Sequence, residues 1–247
     1  MDENYTNAHR AFLQACIRLS VLSTKQTHDV LQSVQNKHGD SEAEVNDAAV
    51  RKMVDEINAK LTEHEIEQRL SFVHYEWDDI ACEFLVFCNT FATIGASPVY
   101  NEAESNYMKT LMEKIVMNDT HSLSRMSAVH LSSAPSQLSQ SQSTSKKVTK
   151  QRAEDLLEEW IEAGYFMNRG DLITLGPRGI GEYRDTFRTK FGDYIQCCRL
   201  CSEIALQPHF CPNDECDAAL DKRCFKNYVV KQKKCPGCKS DWHEEEA

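Results

Sequence analysis

Apolar positions near the N-terminus, Ala8, Phe12, Leu13, Cys16 and Leu19, recur at three- and four-residue spacing. That spacing gathers them on one face of a helix. A second run with the same period passes through Val45, Val50, Met53, Val54, Ile57 and Leu61, and Ser41 with Glu44 ahead of it forms a capping-box pair. The pattern then shortens. Ser71-Phe72-Val73-His74-Tyr75 and Phe84-Leu85-Val86-Phe87 are β-branched and aromatic, with Glu76-Trp77-Asp78-Asp79 between them as a turn. A further helix is expected from Tyr107 to Met117. Residues 1–118 therefore read as helix, helix, hairpin, helix, the order of a winged-helix domain.

Residues 119–147 read as a connecting segment, whose end from 132 on is low-complexity Ser and Gln with one Pro. Such a composition buries too little apolar surface to offset its chain entropy, so it reads as a linker. It holds Ser136-Gln137, Ser139-Gln140 and Ser141-Gln142, the dipeptide that kinases of the DNA-damage response prefer. Residues 148–196 repeat the earlier theme in smaller form. Ala153, Leu156, Leu157, Trp160 and Ile161 make an apolar stripe that Gly164 can end in a left-handed cap. Tyr165-Phe166-Met167 and Leu172-Ile173-Thr174-Leu175 read as strands around the turn Asn168–Asp171, and Pro177 opens a helix to about Lys190. A second winged helix is the expectation.

Charge narrows what these units do. The 247 residues are 41% hydrophobic and 27% charged, with a net charge of -10 and a pI near 5.4. Binding nucleic acid by bulk attraction needs the opposite sign, so DNA contact is left to a local patch or to an assembly. Glu154, Asp155, Glu158, Glu159 and Glu162 crowd the outer face of the stripe helix, which places protein docking ahead of DNA reading. No apolar run approaches the roughly eighteen residues of a membrane span. The start, MDENYTNAHR, lacks a secretory apolar region. A cytosolic or nuclear protein with reduced thiols is the expectation.

Cysteine usage adds the chemistry. Of eleven cysteines, Cys16, Cys82 and Cys88 lie on apolar faces and read as small buried hydrophobes, while eight fall between 197 and 238. From Cys198 the spacing is Cys198-x2-Cys201-x9-Cys211-x4-Cys216-x7-Cys224-x10-Cys235-x2-Cys238. Short Cys-x2–4-Cys turns present two thiolates to one tetrahedral zinc ion. Interleaving the pairs assigns Cys211, Cys216, Cys235 and Cys238 to one ion, and Cys198, Cys201 and Cys224 to another with a fourth place open. Asp221, three residues before Cys224, is favoured for that place. His209 remains an alternative, as do Cys197, which abuts Cys198, and water. His74 and His130 have no ligand-spaced neighbours and receive no role.

Three stretches, HRAFLQACIRLSVL, KQRAEDLLEEWIEAGYFMNRGDLITLGPRGI and the closing CPGCKSDW, make the chain resemble the non-SMC element 1 family. That family supplies a subunit of the Smc five–six complex that maintains chromosomes. The resemblance implies an α+β chain of tandem winged-helix domains followed by a small RING-like cross-brace zinc domain at 197–247, holding two Zn²⁺. The family's ligand order places a histidine where this sequence has Asp221. It further implies nuclear localisation, no membrane association, and a complex with a MAGE-like subunit, non-SMC element 3, and through it the kleisin, non-SMC element 4.

RING-type ubiquitin ligase activity is also implied. Ordinary RINGs dock the ubiquitin-conjugating enzyme through an apolar residue in the first zinc loop and a proline in the last, places held here by Leu200 or Ile204 and by Pro236. Lys239 stands where a basic residue clasps ubiquitin. Two other readings compete. One is a scaffold that only binds partner subunits, and the other a histone-tail reader, which Lys233 disfavours because PHD fingers carry an aromatic residue at that place. Zinc binding to such sites is worth on the order of 10–16 kcal/mol of folding free energy. Stripping the metal with a chelator is expected to unfold residues 197–247 selectively, seen as lost circular dichroism and new proteolytic cleavage there.

Overall fold

The computed structural model describes residues 5–38, 44–77, 80–90, 93–95, 99–133 and 147–242. The first unit runs α1 (Asn7–Leu19), β1 (Val21–Ser23), α2 (Thr24–His38), α3 (Asp47–Glu63), β2 (Gln68–Trp77) and β3 (Ile80–Asn89). Its antiparallel sheet has the order β1-β3-β2. Phe12, Cys16, Leu22, Leu31, Ile57 and Leu85 form its centre, none more than 1% exposed.

Local details differ from the sequence pattern. Strand β2 continues through Glu76 and Trp77, the first half of the expected turn. Helix α2 lacks a clear periodic signal because it buries only Thr27, Leu31 and Val34, a stripe of one polar and two apolar residues. Helix α3 is capped by Asn46, whose side chain accepts the Ala49 amide at 3.0 Å. Ser41 of the expected capping box, Asp78-Asp79 of the expected turn and the Ser-Gln steps at 136–142 lie outside the described residues.

The second unit runs α4 (Glu102–Val116), β4 (Ser122–Ser124), α5 (Arg125–His130), α6 (Lys150–Glu162), β5 (Phe166–Arg169) and β6 (Leu172–Leu175), with sheet order β4-β6-β5. It repeats the connectivity of the first unit element for element. Helix α4 buries Tyr107, Met108, Leu111, Met112 and Ile115 in one core with Trp160, Phe166 and Ile173 and packs on β4 and β6. Helix α4 thus shares its core with α6, β5 and β6. Asn101 and Glu104 supply the capping box of α4, each side chain accepting the other residue's amide.

Helix α6 ends where expected, with Gly164 at φ +80°, and α7 (Pro177–Lys190) opens on Pro177. Helix α7 then crosses the first unit's sheet. Side chains alternate along a strand, so Leu70 and Leu85 face α1–α3, whereas Val73, Tyr75, Trp77, Val86 and Cys88 face the second core. The hairpin is buried on both sides. Gly181 of α7 allows this approach, since a Cβ there would lie 2.8 Å from Val73 Cγ2 and 3.1 Å from Cys88 Sγ.

The C-terminal module has two short antiparallel pairs, β7 (Gln196–Cys197) with β8 (Ile204–Ala205) and β9 (His209–Phe210) with β10 (Ala219–Leu220). A helical segment over 222–232, here α8, contains a π-helical stretch at Phe225–Val229 and stops at Lys233 in the left-handed region, φ 52°. Among the described residues no helix is long and apolar enough to cross a membrane. Gly181→Val should force α7 away from the stiff Val73 side chain and cost about 1–3 kcal/mol, read as a lower urea midpoint; an unchanged midpoint would refute this close packing.

Candidate metal centre

The module's own core consists of Cys198, Cys211, Ala218, Leu220, Phe225, Val229, Cys235 and Trp242. Three of those eight are cysteines, so little apolar surface is left to hold the fold, and domains this small need a further constraint. Two groups of candidate ligands provide one. Cys211, Cys216, Cys235 and Cys238 converge, as do Cys198, Cys201, Asp221 and Cys224, with the ligating atoms of each group within 4.8 Å of one another. The chain crosses between the groups: the first and third pairs share one, the second and fourth the other.

Distances test whether a metal fits. Cys211 Sγ lies 3.7 Å from Cys238 Sγ, and Cys216 Sγ lies 3.8 Å from Cys235 Sγ. A disulfide would need about 2.05 Å, and all eleven thiols are free. A tetrahedral ion with metal–sulfur bonds of about 2.3 Å separates its sulfurs by about 3.8 Å. The four-thiol group therefore fits a zinc-sized ion.

Local backbone explains how the pairs are presented. Each Cys-x2-Cys turn is followed by a non-glycine residue in the left-handed region, Ser202 at φ 61° and Lys239 at φ 67°. The Ser202 amide donates back to the Cys198 carbonyl at 2.8 Å, and the Lys239 amide to that of Cys235 at 3.1 Å. The Gly237 amide points at Cys235 Sγ, 3.3 Å away.

Asp221 occupies the place left open by the cysteine count. It is 3% exposed and works with both oxygens. Oδ1 accepts the Cys224 amide at 2.7 Å, capping α8, while Oδ2 lies 2.9 Å from Cys201 Sγ. Burial opposes its charge, yet hydrogen bonds from the Cys198 and Cys201 thiols and from Cys224 outweigh that and hold the carboxyl at about 2. Burial, and then the Asp221 carboxylate, push the Cys201 thiol up to about 12. An arriving metal must displace that proton, so its hold weakens as pH falls. The other contenders stand apart from this group. His209 pairs with Leu220 and stacks on Phe225 at 4.3 Å, and Cys197 lies in β7 against the main core.

The docking candidates divide. Leu200 is 42% exposed on the first Cys-x2-Cys turn. Ile204 is not available: it is 5% exposed and packed with Leu206 into the core shared with α7. Strand β8 turns it inward, which spacing could not reveal. Pro236 is half-buried and Lys239 exposed, with Lys239 Nζ donating to the Pro236 carbonyl at 3.1 Å. One neighbour of the first group had no sign in the sequence. Glu76, at the end of β2, accepts the amides of Lys222 and Arg223.

Fold and site together define a RING-like metal-binding protein carried on two helix-and-strand units. Residues 9–182 match the family model described as Nse1 non-SMC component of SMC5-6 complex, and residues 198–243 that of a RING-like domain. The chain belongs to the Nse1 family of non-SMC components of the SMC5-6 complex. The non-structural maintenance of chromosomes element 1 homolog of Drosophila melanogaster is 29% identical over 94% of each chain. Its Homo sapiens counterpart is 24% identical over 97% of this chain and 85% of its own. A chain from a solved Nse1-Nse3-Nse4 complex shares the fold with a TM-score of 0.73 at 21% identity, over 99% of this chain and all of the other.

Asp221→Ala removes a ligand oxygen and a helix cap together, so elemental analysis is expected to find one metal ion per chain instead of two. Two ions retained would remove Asp221 from the ligand set.

Proposed function

We propose that this chain is a zinc-dependent, RING-type subunit of a chromosome-maintenance complex that promotes ubiquitin transfer in the nucleus during DNA repair. The crossed pair of ligand groups carries this reading, because the same crossing sets the two docking turns of a RING on one small frame. Seven thiols and one carboxylate in two groups of four support Zn²⁺ as the metal. Bound zinc would be structural here, holding the turns in place.

Transfer of this kind forms no covalent intermediate on the ligase. It requires only that a ubiquitin-loaded conjugating enzyme be held in a reactive orientation, so catalysis is positioning. Leu200 offers an exposed apolar contact on the first turn, and the half-buried Pro236 a second one on the last. Lys239 is placed to meet ubiquitin once its ammonium leaves the Pro236 carbonyl. The partners we assign are an Nse3-type MAGE-like subunit and an Nse4-type kleisin, supported by the likeness to the chain of the Nse1-Nse3-Nse4 complex. DNA would be met through that assembly.

A second reading, a scaffold without transfer activity, draws support from Lys239, whose ammonium is folded back on its own turn. The two separate in a transfer assay with the chain bound to its Nse3-type and Nse4-type partners. Leu200→Ala with Pro236→Ala is expected to cut transfer on the order of tenfold, as loss of an interface anchor does, with zinc content unchanged. Undiminished transfer would leave only the scaffold.

A further inference from the structure

We propose that Glu76 of the first unit is a positioning residue for the metal group formed by Cys198, Cys201, Asp221 and Cys224. That group is then a joint structure of the β2–β3 hairpin and the C-terminal module. The inference rests on the metal reading given above.

Glu76 is 8% exposed and stands second from the end of β2. Its Oε2 accepts the Lys222 amide at 2.5 Å and its Oε1 the Arg223 amide at 2.9 Å, across 146 and 147 residues of chain. These are the first two amides of α8, which begins after Asp221. The next amide, that of Cys224, is held by Asp221 Oδ1 at 2.7 Å. The opening amides of a helix have no partner within the helix, and negative charge is stabilised there. A buried carboxylate in turn needs hydrogen bonds to offset its lost hydration. Each requirement meets the other. Three consecutive amides are divided between two carboxylates, and this leaves Asp221 Oδ2 facing Cys201 Sγ at 2.9 Å.

The other half of the group is tied to the same body. Arg184 of α7 pairs with Glu203 at 2.8 Å, and Arg188 donates to the Ser202 carbonyl, just beyond Cys201. Around the Cys211 group the polar contacts run inside the module, from Asn213 to Ser240 and from Cys238 to Ser240. One group is thus braced from outside, while the polar contacts named for the other lie within the module.

The test is zinc release from the full chain, bound to its partners, into excess chelator with a zinc-sensitive dye. Wild type should release two ions in two phases, and the phase missing in Asp221→Ala marks the first group. Glu76→Ala and the milder Glu76→Gln are expected to speed that phase by about ten- to a hundred-fold, the usual effect of losing a residue that orients a ligand, with the other phase unmoved. Equal acceleration of both phases, or of neither, overturns the proposal. Amide hydrogen exchange in the wild-type chain gives a measurement free of folding defects. Lys222 and Arg223 should exchange as slowly as the strand amides of β2, and fast exchange also overturns it. A wild-type chain without zinc removes the metal reading and this inference together, whereas two bound ions with an unmoved first phase remove this inference alone.

Discussion

The β2–β3 hairpin is buried on both of its faces, and the remainder of the molecule is arranged around that fact. One face, through Leu70 and Leu85, closes the core of α1, α2 and α3. The other, through Val73, Tyr75, Val86 and Cys88, forms part of the core that holds α4, α6 and α7. A strand pair with polar residues on one side would end the first unit at water. Here alternate residues on both sides are apolar, so the sheet must be covered twice. Glu76, near the hairpin's end, then meets the module. Burial of apolar area binds the two units to each other, and the module joins them both through Ile204 and Leu206 in the same core and through the Glu76 cap.

The module is stabilised differently. Its eight-residue core is too small to offset the chain entropy of some fifty residues, and under the proposed zinc reading metal coordination adds on the order of 10–16 kcal/mol. This division explains why the module's surface can be spent on exposed groups such as Leu200 and Phe210, 42% and 57% exposed. Side chains that a larger apolar core would demand are free to face partners. Under the proposed metal reading, the Cys-x2-Cys turns keep their shape only while their ligands are held.

The acidic face of α6 is partly neutralised within the chain. Glu158 pairs with Arg125 at 2.5 Å and Glu159 with Arg152 at 2.6 Å, while Arg152 also reaches Glu104 at 2.7 Å. The exposed Arg125–Glu158 and Arg152–Glu159 pairs add little stability, whereas Glu104 is buried; together the three pairs link α6 to α4 and α5 across the stretch of sequence that contains the Ser and Gln run. The carboxylates still outnumber their cations along the helix, which keeps the face unsuited to phosphate.

Periodicity, caps and cysteine spacing were enough to place α1, α3, the two hairpins, α6 and α7, because each depends on residues within a few turns of one another. Gly164 and Pro177 mark helix ends by backbone preference alone, and the short spacing of the cysteine pairs marks them as candidate ligands, whereas their crossing is seen in the fold. The stripe of α2 is too thin to mark a helix, and the apolar face of α4 says that it is buried without saying against what. Ile204 shows the same limit: an apolar residue in a metal turn can dock a partner or fill a core, and only the course of β8 decides. Asp221 was singled out by its distance from Cys224, yet its second bond to the α8 amide and the approach of Glu76 from far along the chain needed the folded structure. Local chemistry is written in neighbouring residues, whereas contacts between distant ones arise from which buried faces find each other.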